Sequence, residues 1–201
     1  MKNLVLIIFL GLFISCKSQT VVAYDSDLDV FIDDSNKYYK DVNNNFNVYE
    51  GIWIYEENGI SITLHFDKEI AINDNSGYIY DLLVGEYQYK LNGNIVVNTL
   101  SLMEDPTVIG FNHNIAGFQI LSKYNSPQCT DCSENERRIE LGIHHQTLED
   151  VEDTIVLRHF VENGIEKLRV IIYDSGSNSV ASIGDTNDIE VPFGEYTFIK
   201  Q

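Results

Sequence analysis

The sequence predicts an all-β domain: an antiparallel meander that closes into a barrel or folds into a sandwich, with one short helix near its start. Three observations carry this. Apolar and polar residues alternate with a period of two, as in ISITLHF at 60–66, where Ile60, Ile62, Leu64 and Phe66 share one face and Ser61, Thr63 and His65 the other. Three pairs of such segments are joined by the same chemistry, Asn58-Gly59, Asn92-Gly93 and Asn163-Gly164, residues that accept the positive φ angles of a tight hairpin. Tyr (12) and Phe (10) are abundant while Pro (3) and Met (2) are scarce, a mix that suits strands and turns. So many hairpin-linked strands must pair their edges, which requires closure or a second sheet.

Residues 1–15, MKNLVLIIFLGLFIS, read as a secretory signal, with Lys2 ahead of an apolar run. At about a dozen residues that run is short of the roughly 20 needed to cross hydrocarbon. Phe13-Ile14-Ser15-Cys16 resembles a bacterial lipobox, with Phe13 where leucine is most often found. The resemblance implies that the Cys16 thiol is acylated and becomes the new N-terminus. Each buried methylene contributes about 0.8 kcal/mol, so several acyl chains tether the mature chain to a membrane almost irreversibly. Residues 16–35 then read as the lipidated cysteine and an acidic linker, and 36–201 as a single domain. Asp25, Asp27 and Asp29 imitate the start of a calcium loop, but Val30 stands where the turn glycine is required.

Within the domain, Tyr39, Val42, Phe46 and Tyr49 recur at helical spacing after Ser35, which predicts a short helix over 36–50. Strands follow at 51–57, 60–66, 78–84, 85–91, 94–100, 116–122, 137–144, 154–161, 166–174 and 193–200, about nine or ten in all. Residues 175–191 lack periodicity and read as a long loop.

The net charge is −18, and loss of Lys2 with the signal makes it −19. Phosphate recognition needs Lys and Arg, so nucleic acid is excluded as a partner. With Cys16 consumed by lipid, Cys129 and Cys132 are an even pair in an oxidising compartment and read as a disulfide. A metal site with distant histidines, a redox pair and free thiols are the alternatives. His144 and His145 fall on opposite faces of one strand, and His65, His113 and His159 read as histidines with ordinary partners. No Gly-x-Ser-x-Gly, His-Glu-x-x-His, phosphate loop or dinucleotide fingerprint occurs, so no catalytic residue, metal or cofactor is assigned.

Gly51-Ile52-Trp53 opens the first hairpin behind the expected helix. This triplet resembles the first strand of the lipocalin and calycin barrels, whose tryptophan closes one barrel end. The resemblance implies a lipocalin-like barrel. The leading reading of function is a small apolar or aromatic ligand inside that barrel, lined by Trp53 and by the alternate-face residues Tyr87, Tyr89, Phe118 and Phe198. Taken together, the Cys16 lipobox, YYKDVNNNFNVYEGIWIY, YDLLVGEYQY and CTDCSENERR resemble a family of small uncharacterised flavobacterial lipoproteins, a domain of unknown function. That resemblance implies an outer-membrane address, on the periplasmic or the surface face, and brings no activity with it. The alternative to a ligand carrier is a module that engages another envelope protein; an enzyme is the third reading.

Overall fold

The computed structural model describes residues 20–24, 37–73, 77–147, 151–174, 176 and 189–201. The signal segment, Cys16 and the Asp25, Asp27, Asp29 series lie outside the described residues, as does most of the 175–191 loop. Among the described residues eleven strands run in order: β1 (Thr20–Ala23), β2 (Lys37–Lys40), β3 (Gly51–Glu57), β4 (Ile60–Asn73), β5 (Ile79–Leu91), β6 (Asn94–Asn98), β7 (Ile115–Leu121), β8 (Arg138–His144), β9 (Glu152–Glu162), β10 (Ile165–Tyr173) and β11 (Gly194–Lys200). Short 3-10 turns at Leu100–Glu104 and Gly110–Asn112 lie between β6 and β7. The three Asn-Gly pairs form the expected hairpins, each Asn at φ 51–53° and each Gly at φ 79–81°.

Eight strands, β3–β4–β5–β7–β8–β9–β10–β11, pair antiparallel in that order, and β11 returns to β3 to close a lipocalin-like barrel. The long β5 makes this possible. One of its edges pairs with β4 throughout, while the other serves β2 at Tyr39↔Tyr80, β7 at Gly85↔Ile115 and β6 at Tyr89↔Val97. The segments 78–84 and 85–91 are therefore one strand. Gly85 sits at its centre because the Phe66 ring crosses it: a Cβ there would lie 2.5 Å from a ring carbon and 2.9 Å from the His65 carbonyl.

The register places Trp53, Leu64, Tyr87, Ile115, Leu157, Val170 and Phe198 on the inner face. None of these seven has accessible surface. Full burial of each contributes about 1.5–3 kcal/mol, so the interior dominates stability. One end is covered by Tyr49, whose hydroxyl donates to the Arg137 and Leu157 carbonyls. At the other end Ile189 and Val191 are buried, and the Ile189 N–H donates to Asp153.

Two expectations are corrected. The 36–50 segment is not a helix: its start is β2, and 42–49 is a run of turns. The Asp41 carboxylate accepts from the Asn45 and Phe46 N–H groups and Asn44 takes φ 54°, as poor helix formers with local side-chain bonds prefer. The helical spacing of Tyr39, Phe46 and Tyr49 reflected burial alone, and Val42 is exposed. Part of the expected linker is also structured, since Thr20–Ala23 forms β1, parallel to β2. The apolar stretch TVVAY accounts for it: Tyr24 is buried, stacking on Phe118 at 5.2 Å, while Phe118 stacks on Tyr80 at 5.1 Å.

Candidate functional site on the outer wall of the barrel

Four of the five residues expected to line a ligand chamber, Trp53, Tyr87, Tyr89 and Phe198, point into the barrel. They meet protein there. The Trp53 indole N–H donates to the Tyr49 carbonyl at 2.7 Å, and Lys200 Nζ lies 5.2 Å above the ring. The Tyr87 hydroxyl donates to the His144 carbonyl and to Glu190, at 2.9 and 2.8 Å. Burial, with Glu190 beside it, pushes the Tyr87 phenol well above the ordinary tyrosine range, so it stays a neutral donor. Phe198 meets the Tyr55 ring at 5.8 Å. The fifth residue is a correction. A bulge in β7 between Ala116 and Gln119 breaks the alternation, and Phe118 faces outward into the aromatic cluster beneath β1 and β2.

Cys129 and Cys132 are joined as a disulfide. Their loop lies against the outer face of β8–β10, where Arg138, Arg158 and Arg169 gather, three of the four arginines in the chain. Arg138, 3% exposed, donates to the Pro127, Ser122 and Asn125 carbonyls. Arg158 donates to Asp131 at 2.7 Å and to Glu136 at 2.5 Å. Because arginines pin the loop independently, reducing the disulfide is expected to lower the unfolding free energy by only about 2 kcal/mol and to leave the barrel folded. Urea titrations followed by circular dichroism with and without reductant measure this.

The histidines are dispersed, four of them each beside its own carboxylate. Among the described residues no group of three His, Cys, Asp or Glu side chains is placed to hold a metal ion. His113 is the most enclosed, with Nδ1 3.0 Å from Glu86 and Nε2 3.4 Å from Glu69. Asn114 also donates to both Glu86 oxygens. Burial depresses the His113 pKa, but the carboxylates on its two nitrogens outweigh this and hold it above the ordinary value of 6.5. Its stabilising contribution is therefore complete below pH 6.5 and is lost as pH rises through the raised folded value. The stability gap between wild type and His113→Gln should shrink from pH 6 to pH 9; a gap that widens contradicts the assignment. Sequence reasoning missed this cluster, although Glu86 inside a strand as apolar as YDLLVGEYQY was a signal.

The outer wall is most distinctive at the barrel closure. Only Ile54↔Ile199 and Trp53↔Lys200 pair there, with one added bond from Gln201 N–H to the Ile52 carbonyl. Beyond Ile54 and Ile199 the two strands part, leaving a concavity of about 450 Å³ lined by Ile54, Tyr55, Glu56, Glu57, Glu195, Thr197, Ile199 and Gln201. Ile52, Ile54 and Ile199 form an apolar stripe beside it, with Ile52 42% and Ile199 45% exposed.

The sequence profile of one family, described as a family of unknown function (DUF6705), matches residues 1–201. The chain belongs to that family. Membership in DUF6705 thus spans the barrel, the disulfide loop and the N-terminal strands alike. No curated protein and no solved structure matches this DUF6705 member.

Proposed function

We propose that this chain is a lipid-anchored cell-envelope protein that binds another protein through the outside of its barrel. The anchor rests on the Phe13–Cys16 lipobox, and the outer membrane is the address that goes with it. The observation that carries the binding reading is the apolar stripe of exposed Ile52 and Ile199 with half-buried Ile54, rimmed by Glu56, Glu57 and Glu195. Apolar surface ringed by charge is where soluble domains meet partners. The alternative, a small apolar ligand inside the barrel, would first have to displace Trp53, Tyr87 and Phe198, which have no accessible surface. Small barrels either fill with their own side chains or hold one ligand, and this interior favours the first.

The test is a photo-reactive side chain placed at Ile52 in the full chain, with Gln119, also exposed, as the control. A discrete protein adduct from the Ile52 position alone is expected, in a membrane fraction that Cys16→Ser depletes. A chain that cross-links nothing and co-purifies with an apolar small molecule overturns the reading.

A further inference from the structure

We propose that the open end of the β3–β11 closure is a strand-addition site for an extended segment of a partner protein bearing Lys or Arg at alternate positions. This rests on the protein-binding reading above and gives it a place and a recognition chemistry.

The gap is built into the barrel. Behind it β3 stays paired with β4 as far as Glu57↔Ile60, and β11 stays paired with β10 as far as Gly194↔Ile172. Each strand is therefore held along its whole length by its other neighbour. Continuing the closure register would set Glu56 opposite Thr197, yet the ladder ends at Ile54↔Ile199. Strand backbones point their N–H and C=O groups to alternate edges. Because Ile52 offers its carbonyl to the β11 side, Ile54 and Glu56 face that side too, as do Ile199, Thr197 and Glu195 from β11. The main-chain groups of Glu56 and Thr197 thus line the gap with no strand partner among the described residues. Unpaired edges of this kind are templates for an added strand.

The same geometry keeps the core intact. Tyr55 and Tyr196 meet edge to face at 5.0 Å on the inner side, so the barrel is closed beneath the gap. An incoming strand would lie over them without exposing the interior.

Charge selects the occupant. Glu56, Glu57 and Glu195 surround the concavity, and Ile54 and Ile199 form its apolar floor; Arg169 pairs with Glu195 at 3.2 Å, while among the described residues no cation lies within ion-pair distance of Glu56 or Glu57. In a strand added to the gap, alternate side chains turn outward beside Glu56, Glu195, Ile54 and Ile199 and inward over Tyr55 and Tyr196, so a segment alternating cationic and apolar residues sets its ammonium or guanidinium groups beside the carboxylates and its apolar groups on the two tyrosine rings. A second copy of this chain would bring acid against acid, given the net charge of −18.

The probe is a fluorescent ten-residue peptide alternating Lys with Val and Thr, titrated into residues 17–201 at low ionic strength. Saturable one-to-one binding is expected, at least ten-fold weaker when the lysines are replaced by Glu and at least ten-fold weaker for Glu56→Lys combined with Glu195→Lys. Both glutamates are exposed and the one ion pair lost, Glu195 with Arg169, lies at the surface, so that variant keeps the fold. Thr197→Pro is a second variant: it removes a donor that faces the gap and spares the β10 ladder. Amide exchange at Glu56 and Thr197 should be fast in the free chain and at least ten-fold slower with peptide. Slow exchange in the free chain, absence of saturable binding, or a concentration-dependent dimer that protects these amides would each overturn the proposal. If the lysine peptide fails while the Ile52 probe still traps a protein, this site falls and the protein-binding reading stands. If the probe traps nothing, the broader reading falls first.

Discussion

Replacing Trp53 by alanine is expected to lower the unfolding free energy by about 3–5 kcal/mol, the range for deleting a large aromatic from a core that cannot collapse around the void. Trp53 has no accessible surface and its indole N–H satisfies the Tyr49 carbonyl. The His159 ring meets it edge-on at 6.0 Å, and Lys200 lies over its face. The pair Trp53↔Lys200 is also one of the two that close the barrel, so truncation weakens the closure as well as the core. Trp53→Phe keeps much of the volume and loses the hydrogen bond, and a smaller loss of about 1–2 kcal/mol is expected. Guanidinium titrations with unchanged m-value report both. A loss under about 1 kcal/mol for alanine would remove Trp53 as the residue that seals this end.

Asp81→Ala is expected to cost about 3–5 kcal/mol, for a different reason. Its carboxylate is 1% exposed and accepts from the Tyr38 hydroxyl at 2.6 Å and from the Ala71 and Asp41 N–H groups, both at 3.1 Å. Removing it leaves two main-chain donors and a hydroxyl without their acceptor, and bonds to a charged group contribute about 1.5–3 kcal/mol each without full additivity. The damage should be directional. Asp41 in turn accepts from Asn45, Phe46 and Lys68, so the 41–49 turns and β2 loosen first while the barrel stays paired. Hydrogen exchange should show lost protection at β1 and β2 before any at β8 to β10. Uniform loss across all strands, or a change within about 0.5 kcal/mol, contradicts this.

The barrel was readable because its signals are local. Three Asn-Gly turns and two-residue alternation set the hairpins, and the strand limits 51–57 come out as expected. What failed to show was long-range. The helical spacing of Tyr39, Phe46 and Tyr49 arises from a turn segment held by Asp41, and no periodicity distinguishes that from a helix. The outward turn of Phe118 comes from a bulge, which alternation cannot anticipate. The candidate site was the least readable part. Glu56, Glu57 and Glu195 are ordinary members of an acidic chain until closure of the barrel sets β3 beside β11 and stops the ladder two pairs in.

The central claim is that the barrel is a filled scaffold whose function lies on its outer wall. The most direct test is a native mass spectrum of residues 17–201, secreted through an oxidising compartment without reductant or chelator. The account predicts the mass of the bare chain less two hydrogens for the Cys129–Cys132 bond, with no bound small molecule. A one-to-one apolar adduct that survives desalting and is lost in Tyr87→Ala would contradict it and return the function to the barrel interior.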